Sequence, residues 1–190
     1  ASGHQVIGLA RSESTAQALK AAGAEVHCGT LDAPESLLAG VGNADAVIHT
    51  AFDHDFSRFA ANCEKDRQAI LALGQALRGS TRPLVITSGT LMGDDGSGAP
   101  ARESFFNSAH PSPRTASELA GQQLLEAGVD VRVVRLPQVH DTVRQGLLTC
   151  YIERAIANGA VALRGEGSNR WSAAHVNDVA RLYVSALLQG

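Results

Sequence analysis

Short apolar runs alternate with segments of helical periodicity along most of this chain. The apolar runs predict five strands, at residues 5–10, 24–29, 44–51, 82–89 and 129–137. The intervening segments predict helices at residues 12–23, 56–77, 117–128, 145–158 and 177–188, with a short helical turn inside 31–41. Several strands are apolar almost without interruption, which is typical of strands buried on both faces of a parallel sheet. The order of elements therefore predicts an α/β fold with a doubly wound parallel sheet.

The longest predicted helix, residues 56–77, has a polar residue inside its apolar stripe. The stripe is formed by Phe56, Phe59, Cys63, Ile70, Leu73 and Leu77. Asp66 falls within this stripe, and the helical periodicity gives no reason for a carboxylate at that position.

Composition and charge argue against several kinds of function. The formal net charge is −3 and the chain has no basic run, which argues against a nucleic-acid partner. No apolar run is long enough to span a bilayer, and no signal peptide is recognisable. The three cysteines are far apart and form no CxxC pair, so neither a disulfide framework nor a zinc site is indicated. We therefore expect a soluble protein of the reducing cytoplasm, without a membrane partner.

Six segments, in order along nearly the whole chain, resemble the extended or atypical short-chain dehydrogenases/reductases, which are relatives of the NAD-dependent epimerases and dehydratases. The segments are GHQVIGLARS, GTLDAPESL, DAVIHTA, LVITSGTLMGD, VDVRVVRLPQVHD and HVNDVARLY. Their order and spacing carry the resemblance more than any one segment does. The resemblance implies a Rossmann-like dinucleotide-binding domain over residues 1–140. Residues 141–190 would then hold the start of a substrate-binding portion with the last Rossmann elements.

One feature of that group has no counterpart in this sequence. Its members begin with a strand and a TGxxGxxG turn, which brings backbone N–H groups onto the pyrophosphate of the nucleotide. Gly3 and Gly8 do not match that spacing, and no apolar run precedes them. We therefore expect a chain that lacks the first strand and the glycine-rich turn and begins inside the first helix. The group's substrate-binding portion also often continues past a point like Gly190.

The resemblance implies a nicotinamide dinucleotide across the carboxyl ends of the strands. Arg11 and Ser12 follow the first visible strand, where an acidic residue would favour NAD and an Arg accommodates the 2′-phosphate of NADP. These two residues favour NADP, with NAD as the alternative. Leu31 and Asp32 resemble the group's adenine-contacting pair, although Asp32 can also cap the turn before Pro34. The residues that resemble the nicotinamide side are Thr50, Ala51, Phe52 and Pro137.

Catalysis in the group uses a Ser and a Tyr-x-x-x-Lys pair, and only the Ser has a counterpart here. Ser88, in the segment ITSGT, resembles the residue that holds the substrate oxygen. Tyr151 and Tyr183 have no Lys four residues later, so the pair cannot form anywhere in this chain. In its place lies the segment HPSPRTASE, residues 110–118, at the end of a long loop rich in Gly, Pro and Ser.

Two alignments of this segment remain open. One aligns Pro113 with the Pro that often precedes the Tyr, which puts Arg114 in the Tyr position and Glu118 in the Lys position. The other takes His110 and Arg114 as a pair at the same spacing. Chemistry favours the second, because imidazole can transfer a proton near neutral pH and guanidinium cannot. Arg114 would then hold a substrate oxygen or lower the pKa of His110. Pro111 and Pro113 make the segment extended, so the spacing need not bring both side chains onto one face.

Together these residues predict an NADP-preferring oxidoreductase or epimerase-like enzyme that acts on a small carbonyl or alcohol. Ser88, His110 and Arg114 would lie nearest the chemistry. The alternative is a redox sensor that binds the dinucleotide without turnover. A third hypothesis is a metal-dependent enzyme using the His and Asp residues of segment 49–55. Their spacing matches no known ligand motif, so no metal is predicted. The apolar helix at residues 56–77 also allows a homodimer.

Overall fold

Strands and helices alternate along the chain in the computed structural model, which describes residues 3–42 and 44–190. The strands are β1 (Ile7–Ala10), β2 (Glu25–Cys28), β3 (Val47–His49), β4 (Leu84–Gly89), β5 (Val131–Leu136), β6 (Gln138–His140) and β7 (Ala173–His175). The α-helices are α1 (Glu13–Ala21), α2 (Leu38–Val41), α3 (Phe59–Leu77), α4 (Thr115–Glu126), α5 (Thr149–Asn158) and α6 (Val176–Gln189). Short 3-10 helices lie at Pro34–Leu37, Phe56–Arg58, Thr90–Gly93 and Gly146–Leu148.

The strands pair in parallel, and in the described part of the chain they form three separate ladders. β1 pairs with β2, β4 lies between β3 and β5, and β6 pairs with β7. No ladder joins β1 to β3 within residues 3–42 and 44–190. The side chains of Ile7, Leu9 and Ile48, on these two strands, are more than a third exposed. Among the described residues, β1 is the first strand.

Helices cover both faces of the β3–β4–β5 ladder, which confirms the predicted doubly wound α/β fold. On one face, α3 and α4 bury Ile70, Leu124 and the β4 residue Ile86 in the larger core cluster. On the other face, α6 packs Val179 and Tyr183 against Val85 of β4 and Val134 of β5. Burial of an aliphatic side chain of this size contributes about 2 kcal/mol, so the two apolar layers fix the positions of the strand ends.

Several predicted boundaries were wrong in detail. The predicted third strand, residues 44–51, is only three residues long. The helix predicted at residues 145–158 begins as a 3-10 turn, and its α-helical part starts at Thr149. β6 and β7 were not predicted, because three-residue strands are too short to show a periodicity. No helix in residues 3–42 and 44–190 has the length and apolar content needed to cross a membrane.

Candidate functional site

The carboxyl ends of β1, β2 and β3 open into two adjoining clefts. The first has a volume of about 240 Å³ and is lined by Arg11, Thr30, Leu31, Asp32, Ala51, Phe52, Asp53 and Lys65. The second has a volume of about 290 Å³ and is lined by Ala10, Arg11, Ser12, Glu13, Ala16, Cys28, Gly29 and Thr30. Arg11 and Thr30 line both clefts. The two clefts therefore form one groove, here named the strand-end groove. Open α/β sheets bind ligands at this edge.

Most of the predicted nucleotide contacts line the strand-end groove. They are Arg11, Ser12, Leu31, Asp32, Ala51 and Phe52. Thr50 and Pro137 are not among its lining residues. Thr50 is exposed next to the groove-lining Ala51, and Pro137 separates β5 from β6. The structure therefore brings the predicted adenosine side together and leaves part of the predicted nicotinamide side apart.

Ser12 and Arg11 occupy the turn between β1 and α1. Ser12 is the N-cap of α1, and its hydroxyl accepts a hydrogen bond of 3.3 Å from the backbone N–H of Thr15. Arg11 is exposed in the groove, and none of the ion pairs among residues 3–42 and 44–190 involves it. Its guanidinium is therefore free to meet an anionic ligand.

Lys65 joins the two loops that form the walls of the first cleft. Its ammonium lies 2.7 Å from Asp32 and 3.2 Å from Asp53. The hydrogen bond from Lys65 holds the pKa of Asp32 below its ordinary value, and Asp32 raises the pKa of Lys65 in return. The alternative role of Asp32 as a helix cap was wrong, because the turn at Pro34 begins at Ala33 and has no side-chain cap.

Asp66, the residue that interrupts the apolar stripe of α3, is 1 % exposed and accepts three hydrogen bonds. His49 Nε2 lies 2.8 Å from Oδ1, while Arg114 Nη1 at 2.5 Å and Ser117 Oγ at 2.6 Å donate to Oδ2. Burial acts to raise the pKa of Asp66. The hydrogen bond from His49 and the charge of Arg114 outweigh burial and keep the pKa below its ordinary value. Asp66 is therefore a buried carboxylate with its acceptors satisfied.

Arg114 links this buried carboxylate to the wall of the strand-end groove. Its Nη2 donates to the carbonyl oxygen of Thr87 at 2.9 Å, and its guanidinium lies 4.3 Å from the centre of the Phe52 ring. The side chain is 16 % exposed. Arg114 therefore contacts both Phe52, in the wall of the groove, and Thr87, the residue before Ser88 in β4.

Ser88 is buried at the end of β4 with an unsatisfied hydroxyl. The residue is 4 % exposed, and its Oγ has no hydrogen-bond partner among the described residues. Side chains alternate along a strand, so Ser88 shares the face of Ile86, which packs against α3 and α4. The neighbouring Thr87 points to the other face, where its hydroxyl lies 2.5 Å from the Tyr183 hydroxyl. Ser88 therefore lies on the same face of the sheet as the Asp66 network.

His110 is held by its own loop and not by the other predicted catalytic residues. Its Nδ1 accepts a 3.1 Å hydrogen bond from the backbone N–H of Ser112, and its carbonyl accepts one from the Thr115 hydroxyl. Among the described residues, no hydrogen bond or ion pair joins His110 to Ser88 or Arg114. The structure thus brings Arg114 to the strand of Ser88 and leaves His110 outside this set of contacts.

Glu118, the other residue of the open alignments, is also buried. Its carboxylate accepts two hydrogen bonds from Arg135, at 2.8 Å from Nε and 2.7 Å from Nη2. Arg114 and Glu118 are one helical turn apart but have different ionic partners. Arg114 pairs with Asp66, and Glu118 pairs with Arg135. Neither alignment of the segment anticipated these two ion pairs.

The buried thiol beside this network gives a test of the packing. Cys63 is 1 % exposed, whereas Cys28 and Cys150 are exposed. Burial raises the pKa of the Cys63 thiol, so little reactive thiolate forms near neutral pH. We expect a thiol reagent at pH 7.5 to label two cysteines quickly and Cys63 at least about 100-fold more slowly. Mass spectrometry of tryptic peptides would measure this, and labelling in urea would give the control in which all three react. Rapid labelling of native Cys63 would contradict the packing of α3.

Sequence reasoning missed the central residues of this site. Asp66, Lys65 and Ser117 carried no prediction, and His49 was considered only within a segment that matched no metal motif. One signal was available: a carboxylate inside an apolar stripe predicts a buried donor, since burying it unpaired would cost several kcal/mol. Among the described residues, no three His, Cys, Asp or Glu side chains are grouped as a metal site.

Parallel strands alternating with helices, with a groove at the carboxyl ends of β1, β2 and β3, define a Rossmann-like protein. The chain belongs to the NAD dependent epimerase/dehydratase family, whose family model matches residues 1–190. It is 39% identical over 186 residues to the uncharacterized protein C2A9.02 of Schizosaccharomyces pombe. This match covers 97% of this chain and 63% of that protein. It is 35% identical over 192 residues to the uncharacterized protein YLL056C of Saccharomyces cerevisiae, at 100% and 64% coverage. The chain thus spans less than two thirds of these relatives.

Solved structures share the fold at low sequence identity. The structure of gox2253 matches with a TM-score of 0.76 at 22% identity, covering 98% of this chain and 59% of that one. UDP-N-acetylglucosamine 4-epimerase from Bacillus cereus matches with a TM-score of 0.74 at 17% identity, at 99% and 64% coverage. Vestitone reductase from alfalfa (Medicago sativa L.) matches with 0.65 at 21% identity, at 100% and 66% coverage. At these identities the similarity establishes the fold alone.

Proposed function

We propose that this chain binds NADP along the strand-end groove and serves an oxidoreductase or epimerase-like reaction on a small carbonyl or alcohol. The observation that carries the proposal is the position of Arg11. It lines both clefts of the groove and makes no ion pair within residues 3–42 and 44–190. A guanidinium at the end of the strand before α1 suits the 2′-phosphate of NADP, since NAD would call for an acidic residue there. Leu31, Ala51 and Phe52 supply apolar surface along the same groove.

The nicotinamide would supply the hydride, so the protein has only to place the substrate and move a proton. Ser88 is the group best suited to hold the reacting oxygen, because its hydroxyl is buried and has no partner among the described residues. His110 would carry the proton. Its Nδ1 lone pair accepts a hydrogen bond from the backbone N–H of Ser112. For turnover, the loop of His110 would have to bring the ring to the substrate, since no hydrogen bond joins His110 to Ser88 among the described residues.

That separation is also the observation that favours the second candidate function, an NADP-binding redox sensor without turnover. Such a protein needs the strand-end groove and no proton carrier. Turnover by the wild-type protein distinguishes the two, since the sensor has none. His110→Ala then tests the proton carrier: loss of turnover with nucleotide binding intact supports its role, whereas an unchanged rate removes His110 from the mechanism. A homodimer through the long helix stays a prediction.

Replacing Arg11 with Ala tests the proposed cofactor. We expect NADP to bind roughly 10- to 100-fold more weakly, because hydrogen bonds between charged groups contribute about 1.5–3 kcal/mol. NAD affinity should change by no more than about twofold, since NAD has no phosphate at that position. Isothermal titration calorimetry would measure both nucleotides. Arg78→Ala, an exposed Arg at the end of α3 and outside the groove, is the matched control.

Labelling of Cys28 gives a second measurement that does not depend on Arg11. Cys28 lines the second cleft, whereas Cys150 does not. NADP bound in the groove should slow alkylation of Cys28 and leave the rate at Cys150 unchanged. Equal affinities of the wild-type protein for NADP and NAD would refute the role given to Arg11. Binding of NADP without protection of Cys28 would place the nucleotide elsewhere.

A further inference from the structure

The guanidinium of Arg114 has donors that the described residues leave without acceptors. Nη1 donates to Asp66 and Ser117, and Nη2 donates to the carbonyl of Thr87. Within residues 3–42 and 44–190, Nε makes no hydrogen bond and Nη2 keeps one N–H. The buried side-chain atoms without a partner in this part of the chain are Asn62 Oδ1 and Ser88 Oγ. The Arg114 side chain is 16 % exposed, so part of it is open to solvent.

The same two nitrogens bind carboxylates elsewhere in this chain. At three other arginines, Nε and Nη2 each donate to one oxygen of a carboxylate, which is the bidentate geometry that guanidinium groups prefer. The pairs are Arg67 with Glu64, Arg132 with Asp130 and Arg135 with Glu118. Among the described residues, Arg114 has no carboxylate on its Nε side.

The guanidinium of Arg114 is held in place by the protein alone. Three acceptors fix one side of it: the Asp66 carboxylate, the Ser117 hydroxyl and the Thr87 carbonyl. Its central carbon lies over the ring of Phe52, at 4.3 Å from the ring centre. A donor group that is already oriented loses little conformational entropy when a ligand binds, so a preorganised guanidinium favours specific recognition.

We propose that Asp66 is a positioning residue that fixes Arg114 so that its remaining N–H groups bind a carboxylate of the substrate. This rests on the proposed function, and it narrows the substrate class to small carbonyl or alcohol compounds that carry a carboxylate. The buried hydroxyl of Ser88, one residue after the carbonyl that Arg114 contacts, would take the neighbouring oxygen of the same substrate.

Charge favours a carboxylate over a phosphate at this position. Asp66 lies within 2.5 Å of Arg114 and already balances its single positive charge. A monoanion adds one negative charge to that pair, whereas a phosphate dianion adds two and is repelled more strongly by the buried Asp66 carboxylate. A monocarboxylate also fits the two remaining donors of the guanidinium, as the three carboxylate pairs of this chain do.

The test uses oxamate, a monocarboxylate, and inorganic phosphate as probes. Each is titrated into the 15N-labelled protein with and without NADP, and the Nε–H resonance of Arg114 is followed by NMR. Arg114→Lys removes that resonance and so assigns it. We expect oxamate to shift it and to bind at least about 10-fold more tightly than phosphate. NADP binding is measured separately by calorimetry, so failure of the proposed function and failure of this inference are distinguishable.

The variants test the role of Asp66 itself. Asp66→Asn should bring the oxamate-to-phosphate affinity ratio close to one, because loss of the buried charge favours the more highly charged anion. Glu64→Gln, on the exposed side of the same helix, should keep the wild-type ratio. Ser117→Ala leaves all charges in place and should weaken oxamate binding by about fivefold, the effect of one hydrogen bond. Ser117→Ala therefore still tests the positioning of Arg114 if the Asp66→Asn protein does not fold.

Three results would overturn the inference. Oxamate could leave the Arg114 resonance unchanged, or phosphate could bind the wild-type protein as tightly as oxamate. The oxamate-to-phosphate affinity ratio could also stay at the wild-type value in a folded Asp66→Asn protein, or the oxamate affinity could do so in Ser117→Ala. Either result would reduce Asp66 to a purely structural residue.

Discussion

Replacing Asp66 with Ala is expected to lower the free energy of unfolding by roughly 3–5 kcal/mol, because it leaves the Arg114 guanidinium without its buried partner. The same change removes the acceptor of Ser117 and His49. Urea denaturation followed by circular dichroism would measure the loss. In the double variant Asp66→Ala with Arg114→Met, the unpaired charge is gone, and part of the stability should return.

The pH dependence of this effect follows from the direction of the Asp66 pKa. The pKa in the folded state lies below the ordinary value of 3.8. The carboxylate therefore stabilises the fold at pH values above 3.8, and this contribution is lost as the pH falls through the lower, folded-state pKa. The difference in stability between the wild type and Asp66→Asn should be full at pH 7 and should narrow below about pH 3.8.

An exposed carboxylate provides the comparison for Asp66. Asp32 also has a cationic partner and a lowered pKa, but it is largely exposed and its partner Lys65 has a second carboxylate in Asp53. Asp32→Ala should change the unfolding midpoint only slightly, because water screens exposed ion pairs. If Asp66→Ala were no more destabilising than Asp32→Ala, the buried network would not contribute to stability as we infer.

The parts of the fold that the sequence predicted well are those set by local periodicity. The strands β4 and β5 carry near-continuous apolar residues, and both were placed within two residues of their observed bounds. The long helix was predicted over residues 56–77, and its stripe from Cys63 to Leu77 is the buried face of α3. In each of these cases, the residues that define the element lie next to one another in the sequence.

The site was harder to predict because its contacts join distant residues. Asp66, on α3, meets the guanidinium of Arg114, 48 residues later in the chain, and His49 approaches it from β3. The strand-end groove was predictable in outline, since parallel strands bring their carboxyl ends to one edge. Which side chains pair across that edge depends on the packing of α3 on α4, which periodicity does not specify. The spacing of His110 and Arg114 was therefore a weak guide to their contacts.

Glu118 makes the second prediction with a large expected effect. Glu118→Leu should lower the free energy of unfolding by about 3 kcal/mol, since Arg135 is 14 % exposed and would lose a bidentate partner. Arg135 also donates through Nη1 to three backbone carbonyls of the loop after β4. They belong to Arg102, Glu103 and Phe105. Because Glu118 orients this guanidinium, the loss of Glu118 should loosen the loop as well as the core.

Hydrogen exchange separates these two effects. The loop is tied to the 3-10 helix Thr90–Gly93 by hydrogen bonds from the backbone N–H of Arg102 to the Gly93 carbonyl and from the backbone N–H of Asn107 to the Met92 carbonyl. In Glu118→Leu, both amides should exchange faster than the fall in global stability alone requires. Glu126→Ala, on the exposed side of the same helix, should leave both amides protected. Unchanged protection of the loop in a destabilised Glu118→Leu protein would show that the three carbonyl contacts of Arg135 suffice to hold it. The loop that carries His110 would then be fixed independently of Glu118.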